Sequence, residues 1–220
     1  MIEPANVGLF TGLRHNEITA ILAPANKRQC SASEIIVSAN ERATHLFIVK
    51  TGKVDYQVET SGGRDILLWR LVPGDVFGVA AFLSEPVGYL GTARSVFQSE
   101  VLVWKHHVVQ GLSKTYPRLA ENALRTALRY IALYAERHMH LVTDTAQERL
   151  ATALTSLGSR TGHAIPAGLE IDIKNEDLAS LADLSFFTTT RILKTLERKG
   201  AVKKSRGKIL IRCPEKLLAA

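Results

Sequence analysis

The chain has 220 residues, 46% of them hydrophobic and 22% charged, enough to bury one large core or two small ones. No apolar run approaches the roughly 18 residues that a bilayer-spanning helix needs, and Met1-Ile2-Glu3-Pro4 lacks the basic and apolar regions of a secretory signal, so a cytoplasmic protein with no membrane partner is expected. Cys30 and Cys213 fit no metal or redox spacing such as C-x-x-C, and the net charge of +7 points to a polyanionic partner.

The first half reads as mostly β. Residues 7–23 are expected as a short helical lead-in, with Leu9, Leu13, Ile18, Ile21 and Leu22 as its apolar positions. Strand-like runs follow at 34–37, 45–49, 54–58, 66–71, 92–97 and 101–104, punctuated by Gly52, Gly62, Gly63 and Gly74. Short strands spaced by roughly 8–12 residues suggest a sandwich or barrel. From 117 to 142 the pattern becomes that of a long helix, with Pro117 in its first turn. Leu124, Leu128, Ile131, Ala135, His138 and Val142 recur in alternating steps of four and three, an a/d seam. Arg125, Arg129, Glu136 and Arg137 lie off it. Packing on the chain's own barrel would explain one apolar face. The expectation is pairing with a second copy, which also suits a two-fold DNA site.

Asp144 is expected to cap a helix over 145–157, with Leu150, Ala151, Leu154 and Leu157 inward. Residues 158–168 read as a polar connection and 169–173 as a short strand. Asn175-Glu176-Asp177 then opens a helix with Leu178, Ala179, Leu181 and Ala182 on its apolar face. Asp183-Leu184-Ser185 makes a turn, and the Ser185 hydroxyl suits the N-cap of the next helix. That helix begins at Phe186, buries Ile192, Leu193 and Leu196, and stops before Gly200. Two helices joined this tightly form a helix-turn-helix, whose second helix enters the DNA major groove. Residues 201–203 and 208–211 flank Ser205-Arg206-Gly207 as a hairpin, which makes the module a winged helix. From Phe186 to Arg212 nine basic residues face a single acid, Glu197, a net +8 that accounts for all the positive charge of the chain.

Barrel, long helix and winged helix, in this order, resemble the Crp/Fnr family of bacterial transcription regulators over nearly the whole chain. The resemblance rests on Leu46-Phe47-Ile48-Val49-Lys50-Thr51-Gly52-Lys53-Val54, on Leu71-Val72-Pro73-Gly74-Asp75-Val76-Phe77-Gly78, on Asp177-Leu178-Ala179-Ser180-Leu181-Ala182, and on Thr190-Arg191-Ile192-Leu193-Lys194-Thr195-Leu196-Glu197. It implies an α+β fold. A double-stranded β-helix (jelly-roll) barrel, a cyclic-nucleotide-binding-like sensor, would span 1–116. A dimerisation helix and hinge would span 117–143, and a winged helix-turn-helix DNA-binding domain 144–220. The implied function is a homodimeric, sequence-specific transcription regulator and not an enzyme. Its partners would be duplex DNA with a two-fold symmetric operator, a second copy and RNA polymerase.

The resemblance places an effector pocket at Gly78, Val79, Leu90, Gly91, Thr92 and Tyr134. Relatives that bind cyclic AMP carry glutamate, which holds the ribose hydroxyl, where Val79 stands. They carry Arg-Ser, whose arginine pairs with the phosphate, where Leu90-Gly91 stand. A buried phosphate without a cation costs several kcal/mol, roughly, so cyclic AMP is not expected here. Arg94 is the nearest candidate replacement. Oxygen-sensing relatives need several N-terminal cysteines, and only Cys30 is present, so no iron–sulfur cluster is expected. His15, His45, His106, His107, His138 and His140 show no diagnostic spacing, and haem is not expected either. A haem- or other small-molecule-responsive regulator of nitrogen-oxide metabolism stays open on the likeness of residues 185–191 to that branch. A cyclic-nucleotide receptor domain acting on a partner protein is a further alternative. A cupin-type metalloenzyme would need a His-x-His pair, whereas His106-His107 are adjacent and on a strand would face opposite ways.

For DNA, the family pattern has Arg-Glu where Phe186-Phe187 stand, so the operator is expected to depart from the family consensus. Arg191 matches a later arginine suited to guanine. Phe187 would meet a thymine methyl or pack in the module's core. Ser185 and Thr188 match phosphate-touching positions, and Thr190 takes the small or hydroxyl position before the arginine. Lys194 would reach a base or phosphate, and Lys203, Lys204 and Arg206 place charge on the wing.

Overall fold

Helix and strand boundaries come from a computed structural model that describes residues 7–63 and 65–218, so the reading of Met1–Pro4 lies outside the described residues. Strands β1 (Asn26–Cys30), β3 (His45–Thr51), β6 (Val76–Phe77) and β8 (Ser99–Lys105) form one sheet in the order β1-β8-β3-β6. Strands β2 (Ile35–Val37), β4 (Val54–Glu59), β5 (Asp65–Leu71) and β7 (Thr92–Ser95) form a second, in the order β2-β7-β4-β5. Every pairing is antiparallel.

Strand β3 shows how the layers arise. Phe47 and Val49 point into a cluster shared by both sheets, with Val54, Tyr56, Leu71, Phe77, Ala93 and Val101. Leu46 and Ile48, on the opposite face, pack with Trp104 against a helical layer. That layer contains a 3₁₀ turn (Gly8–Phe10), α1 (His15–Leu22), α2 (His106–Thr115) and the start of α3 (Pro117–Thr143). Trp104 is 1% exposed, and its Nε1 donates to the Ile21 carbonyl at 2.8 Å. Each fully buried side chain of this size contributes about 1.5–3 kcal/mol. The jelly-roll barrel of the expected α+β fold is therefore present.

Several local expectations change. The lead-in over 7–23 is broken into the 3₁₀ turn and α1, with Gly12 between them at φ +72°. His106 and His107 open α2 rather than lie on a strand. Val108-Val109 favour a strand in isolation, but packing of Val109, Leu112 and Tyr116 on the helical layer prevails. Helix α3 has two separate apolar faces. Leu119, Asn122, Ala123 and Thr126 are buried, Asn122 Nδ2 donates to the Leu9 and Thr11 carbonyls, each at 2.9 Å, and Tyr130 Oη donates to the Val76 carbonyl at 2.9 Å. Leu124, Leu128, Ile131 and Val142 are 55–77% exposed, and Ala135 and His138 are exposed as well.

Tertiary contacts divide the chain into Met1–Tyr134 and Ala135–Ala220, with the boundary inside α3. In the second unit α4 (Ala146–Thr161) is capped by Thr145, not Asp144. Thr145 Oγ1 accepts from the Glu148 amide at 3.3 Å and Glu148 Oε2 accepts from the Thr145 amide at 2.7 Å, a capping box. Asp144 instead lies 2.6 Å from His140 Nδ1 and accepts from Thr143 Oγ1 at 2.7 Å. The helix runs on through Gly158, where a Cβ would sit 2.9 Å from Leu169 Cδ2, so this glycine marks a close approach and not a loop. The expected polar connection also contains β9 (His163–Ile165), paired with β10 (Gly168–Asp172). Thr145→Ala is expected to lower stability by about 1 kcal/mol in urea titration of the whole chain. An unchanged midpoint would show that the helix start is held in another way.

Candidate nucleic-acid interface and the barrel interior

Helices α5 (Asn175–Leu181) and α6 (Phe186–Arg198) form the helix-turn-helix. Thr189, Ile192, Leu193 and Leu196 are buried at i, i+3, i+4 and i+7, which turns the opposite face of α6 outward. Ser185 Oγ accepts from the Thr188 amide at 3.0 Å, the expected cap, and also donates to Thr188 Oγ1 at 2.9 Å. Gly200, at φ +71°, follows the C-terminus. Phe187 is 83% exposed and is therefore not a core residue. Its ring meets Phe186 edge-on at 5.9 Å. An open groove runs along this face, lined by Phe186, Phe187, Thr190, Arg191, Lys194 and Arg198. Thr190 Oγ1 accepts from Asn175 Nδ2 at 3.3 Å, which ties the helix to the start of α5.

The wing consists of β11 (Val202–Ser205) and β12 (Lys208–Ile211), joined by Arg206 and Gly207, the latter at φ +72°. Its sheet order is β11-β12-β10-β9. Lys203, Lys204 and Arg206 are exposed. Glu197, the one acid of the basic segment, accepts from the Lys204 amide at 3.0 Å and so fastens the wing to α6. Lys208 is compensated: its Nζ lies 2.6 Å from Glu170 Oε1 and 3.6 Å from Asp172 Oδ1, and the hydrogen bond to Glu170 raises its pKa above the ordinary lysine value. The exposed cations of the predicted contact set thus sit on the outer face of α6 and on the wing.

The turn between the helices holds a feature that the sequence reading missed. Asp183 has φ +52°, in the left-handed region, where a residue other than glycine costs about 1 kcal/mol. Helix-turn-helix turns often use glycine. Arg137, on α3, donates through Nε to Asp183 Oδ2 at 2.6 Å and through Nη2 to Oδ1 at 2.7 Å, and also to the Ser180 carbonyl. Arg149, on α4, donates to the Ala182 carbonyl at 3.2 Å and to the Asp144 carbonyl at 2.9 Å. An aspartate at a position that favours glycine was the available signal.

The predicted effector residues are distributed differently from the expectation. Leu90 is 79% and Tyr134 56% exposed. Val79 packs against the helical layer, and it is Ala80 that packs against the barrel interior. Gly78 has φ +76°, and a Cβ there would lie 2.4 Å from the His45 carbonyl. The Gly91 amide donates to Tyr56 Oη at 3.1 Å, and Thr92 Oγ1 accepts from the Ala39 amide at 3.1 Å. Arg94 pairs across from Asp55, on the face of β4 opposite Tyr56, and donates to the Ser33 carbonyl at 3.2 Å, so it does not enter the interior. Aromatic side chains occupy that interior. Tyr56 and Trp69 lie 6.1 Å apart, Trp69 and Tyr130 5.1 Å, and Phe47 stacks on Phe77 at 4.6 Å. Burial pushes the Tyr56 phenol above its ordinary pKa, which keeps it a neutral hydroxyl. Among the described residues no group of three or more His, Cys, Asp or Glu is placed to hold a metal ion, and no helix is long and apolar enough to cross a membrane.

Two family models match the chain. A cyclic nucleotide-binding domain covers residues 27–116 and a Crp-like helix-turn-helix domain covers 148–220. The chain is 28% identical to the cyclic AMP receptor protein of Thermus thermophilus, over 93% of this chain and 92% of that protein. It is 22% identical to the CRP-like cAMP-activated global transcriptional regulator of Mycobacterium tuberculosis, over 97% and 96%. It shares the fold of FixK2 from Bradyrhizobium japonicum with a TM-score of 0.74 at 24% identity, covering 88% of this chain and 95% of that one. With a cyclic-nucleotide-binding-type barrel followed by a Crp-like helix-turn-helix, the chain belongs to the Crp/Fnr family of DNA-binding transcription regulators, which are not enzymes.

Proposed function

We propose that the chain acts in the cytoplasm as a homodimer that reads a two-fold symmetric operator in duplex DNA and works on RNA polymerase. The observation that carries this reading is the cation-bearing outer face of α6, with Arg191 and Lys194 exposed beside the wing cations Lys203, Lys204 and Arg206. Arg191 suits bidentate recognition of guanine, and the wing lysines suit phosphate. Ser185 and Thr188, at the N-terminus of α6, stand where backbone amides and hydroxyls favour a phosphate.

The dimer reading is supported by the exposed seam of Leu124, Leu128, Ile131 and Val142, whose face is distinct from the one buried on the barrel. The two relatives above are named for cyclic AMP. In this chain Val79 and Leu90 replace the residues that would bind it, and Tyr56 takes the Gly91 amide. These substitutions support a regulator that cyclic AMP does not control through the barrel. We propose neither haem nor an iron–sulfur cluster. Cys30 is the one cysteine of the barrel, and the His45 and His106 rings lie within hydrogen-bond distance of Thr44 and of the Ala81 carbonyl.

Three measurements check this. Leu128→Asp with Ile131→Asp puts charges into the seam, each costing on the order of a few kcal/mol if buried, and sedimentation is expected to show a folded monomer. A stable dimer of that variant would place the interface elsewhere. Calorimetry of purified protein with cyclic AMP is expected to show no micromolar binding. A micromolar or tighter constant would show that Arg94 or another group replaces the missing partners, and would overturn this part of the reading. On an operator selected from random DNA, Arg191→Ala is expected to cost about 1–3 kcal/mol at one base pair per half-site, whereas Lys204→Ala weakens all sequences alike and flattens the salt dependence. Equal loss on selected and random DNA would make Arg191 a phosphate contact.

A further inference from the structure

We propose that the Arg137–Asp183 pair is a positioning strut that fixes the recognition helix against the end of α3 and so selects the spacing between operator half-sites. The proposal rests on the dimeric DNA-binding reading above.

Asp183 lies two residues before Ser185, the cap of α6. Its carboxylate accepts hydrogen bonds from both Nε and Nη2 of Arg137, at 2.6 and 2.7 Å. A two-bond fork fixes the plane of the carboxylate as well as its distance, which a single contact does not. The side chains are 20% and 26% exposed, so salt screens the pair less than a surface pair. The guanidinium of Arg137 also holds the Ser180 carbonyl at the end of α5, and Arg149 holds the Ala182 carbonyl. The end of α5 at position 180 and the turn at positions 182 and 183 are thus held by arginines that belong to neither helix of the motif.

The position of Arg137 on α3 gives the strut its consequence. It stands between Ala135 and His138, two members of the exposed seam. A partner that fixes the seam therefore fixes Arg137, and Arg137 fixes the turn from which α6 departs. In a two-fold dimer the direction of α6 decides how far apart the two recognition helices reach, and matched half-sites lie about one helical turn, roughly 34 Å, apart. The left-handed Asp183 fits this role. Glycine would satisfy the backbone more easily, but it has no carboxylate for Arg137 to hold.

The test uses full-length protein and an operator selected with the wild type, rebuilt with the half-sites moved by one or two base pairs in each direction. Arg137→Lys keeps the charge and loses the fork. Asp183→Gly keeps the backbone conformation and loses the carboxylate. In fluorescence anisotropy each variant is expected to lose about tenfold on the best spacing, and the double variant no more than either single, the signature of a coupled pair. The preference among spacings is expected to flatten in both, while affinity for random DNA and the sedimenting dimer stay as in the wild type. A wild-type spacing profile in both variants, or losses that multiply in the double variant, would overturn the strut. A wild type that selects no operator at all would overturn the DNA reading beneath it.

Discussion

One helix with two apolar faces constrains everything else in this chain. At 3.6 residues per turn, Leu119, Ala123, Thr126 and Tyr130 fall on one side of α3, and Leu124, Leu128, Ile131, Ala135, His138 and Val142 on roughly the other. The first set is used inside the first unit, where Asn122 and Tyr130 add hydrogen bonds to Leu9, Thr11 and Val76. The second set cannot then fold back onto the same barrel surface. A seam of large aliphatic side chains more than half exposed is what a partner helix would cover. The last turns of the same helix carry Arg137, and through it the helix-turn-helix turn.

The barrel keeps its family architecture and has aromatic side chains packed on its inner cluster. Three of them are joined to one another and to the backbone. Tyr56 on β4 occupies the Gly91 amide, Trp69 on β5 lies beside it, and Tyr130 reaches in from α3 and closes on the Val76 carbonyl. Aromatic packing and a hydrogen bond thereby link the barrel to the first part of α3.

The helix-turn-helix was legible because independent signals agreed there. The apolar period of α6, the Ser185 cap and the Gly200 stop all gave the same boundaries, and the charge coincided with them. Where signals were weak or conflicting, the sequence misled. Strand β1 reads Asn-Lys-Arg-Gln-Cys and shows no apolar alternation, because most of its side chains face solvent. Helix α2 hides behind two β-branched valines. Asp144 and Thr145 are both good caps, and only geometry shows that Glu148 completes a box with Thr145. The interior aromatics and the Arg137–Asp183 fork join residues 13 to 61 positions apart, and no local pattern announces such contacts.

The central claim is that the seam of α3 brings two basic recognition faces onto one duplex. Native mass spectrometry of the complex on a selected operator, with hydroxyl-radical footprinting of the same sample, tests it most directly. The account predicts two chains per duplex and two symmetric protected patches about one helical turn apart. One chain per duplex, or a single patch without a symmetric mate, would contradict it.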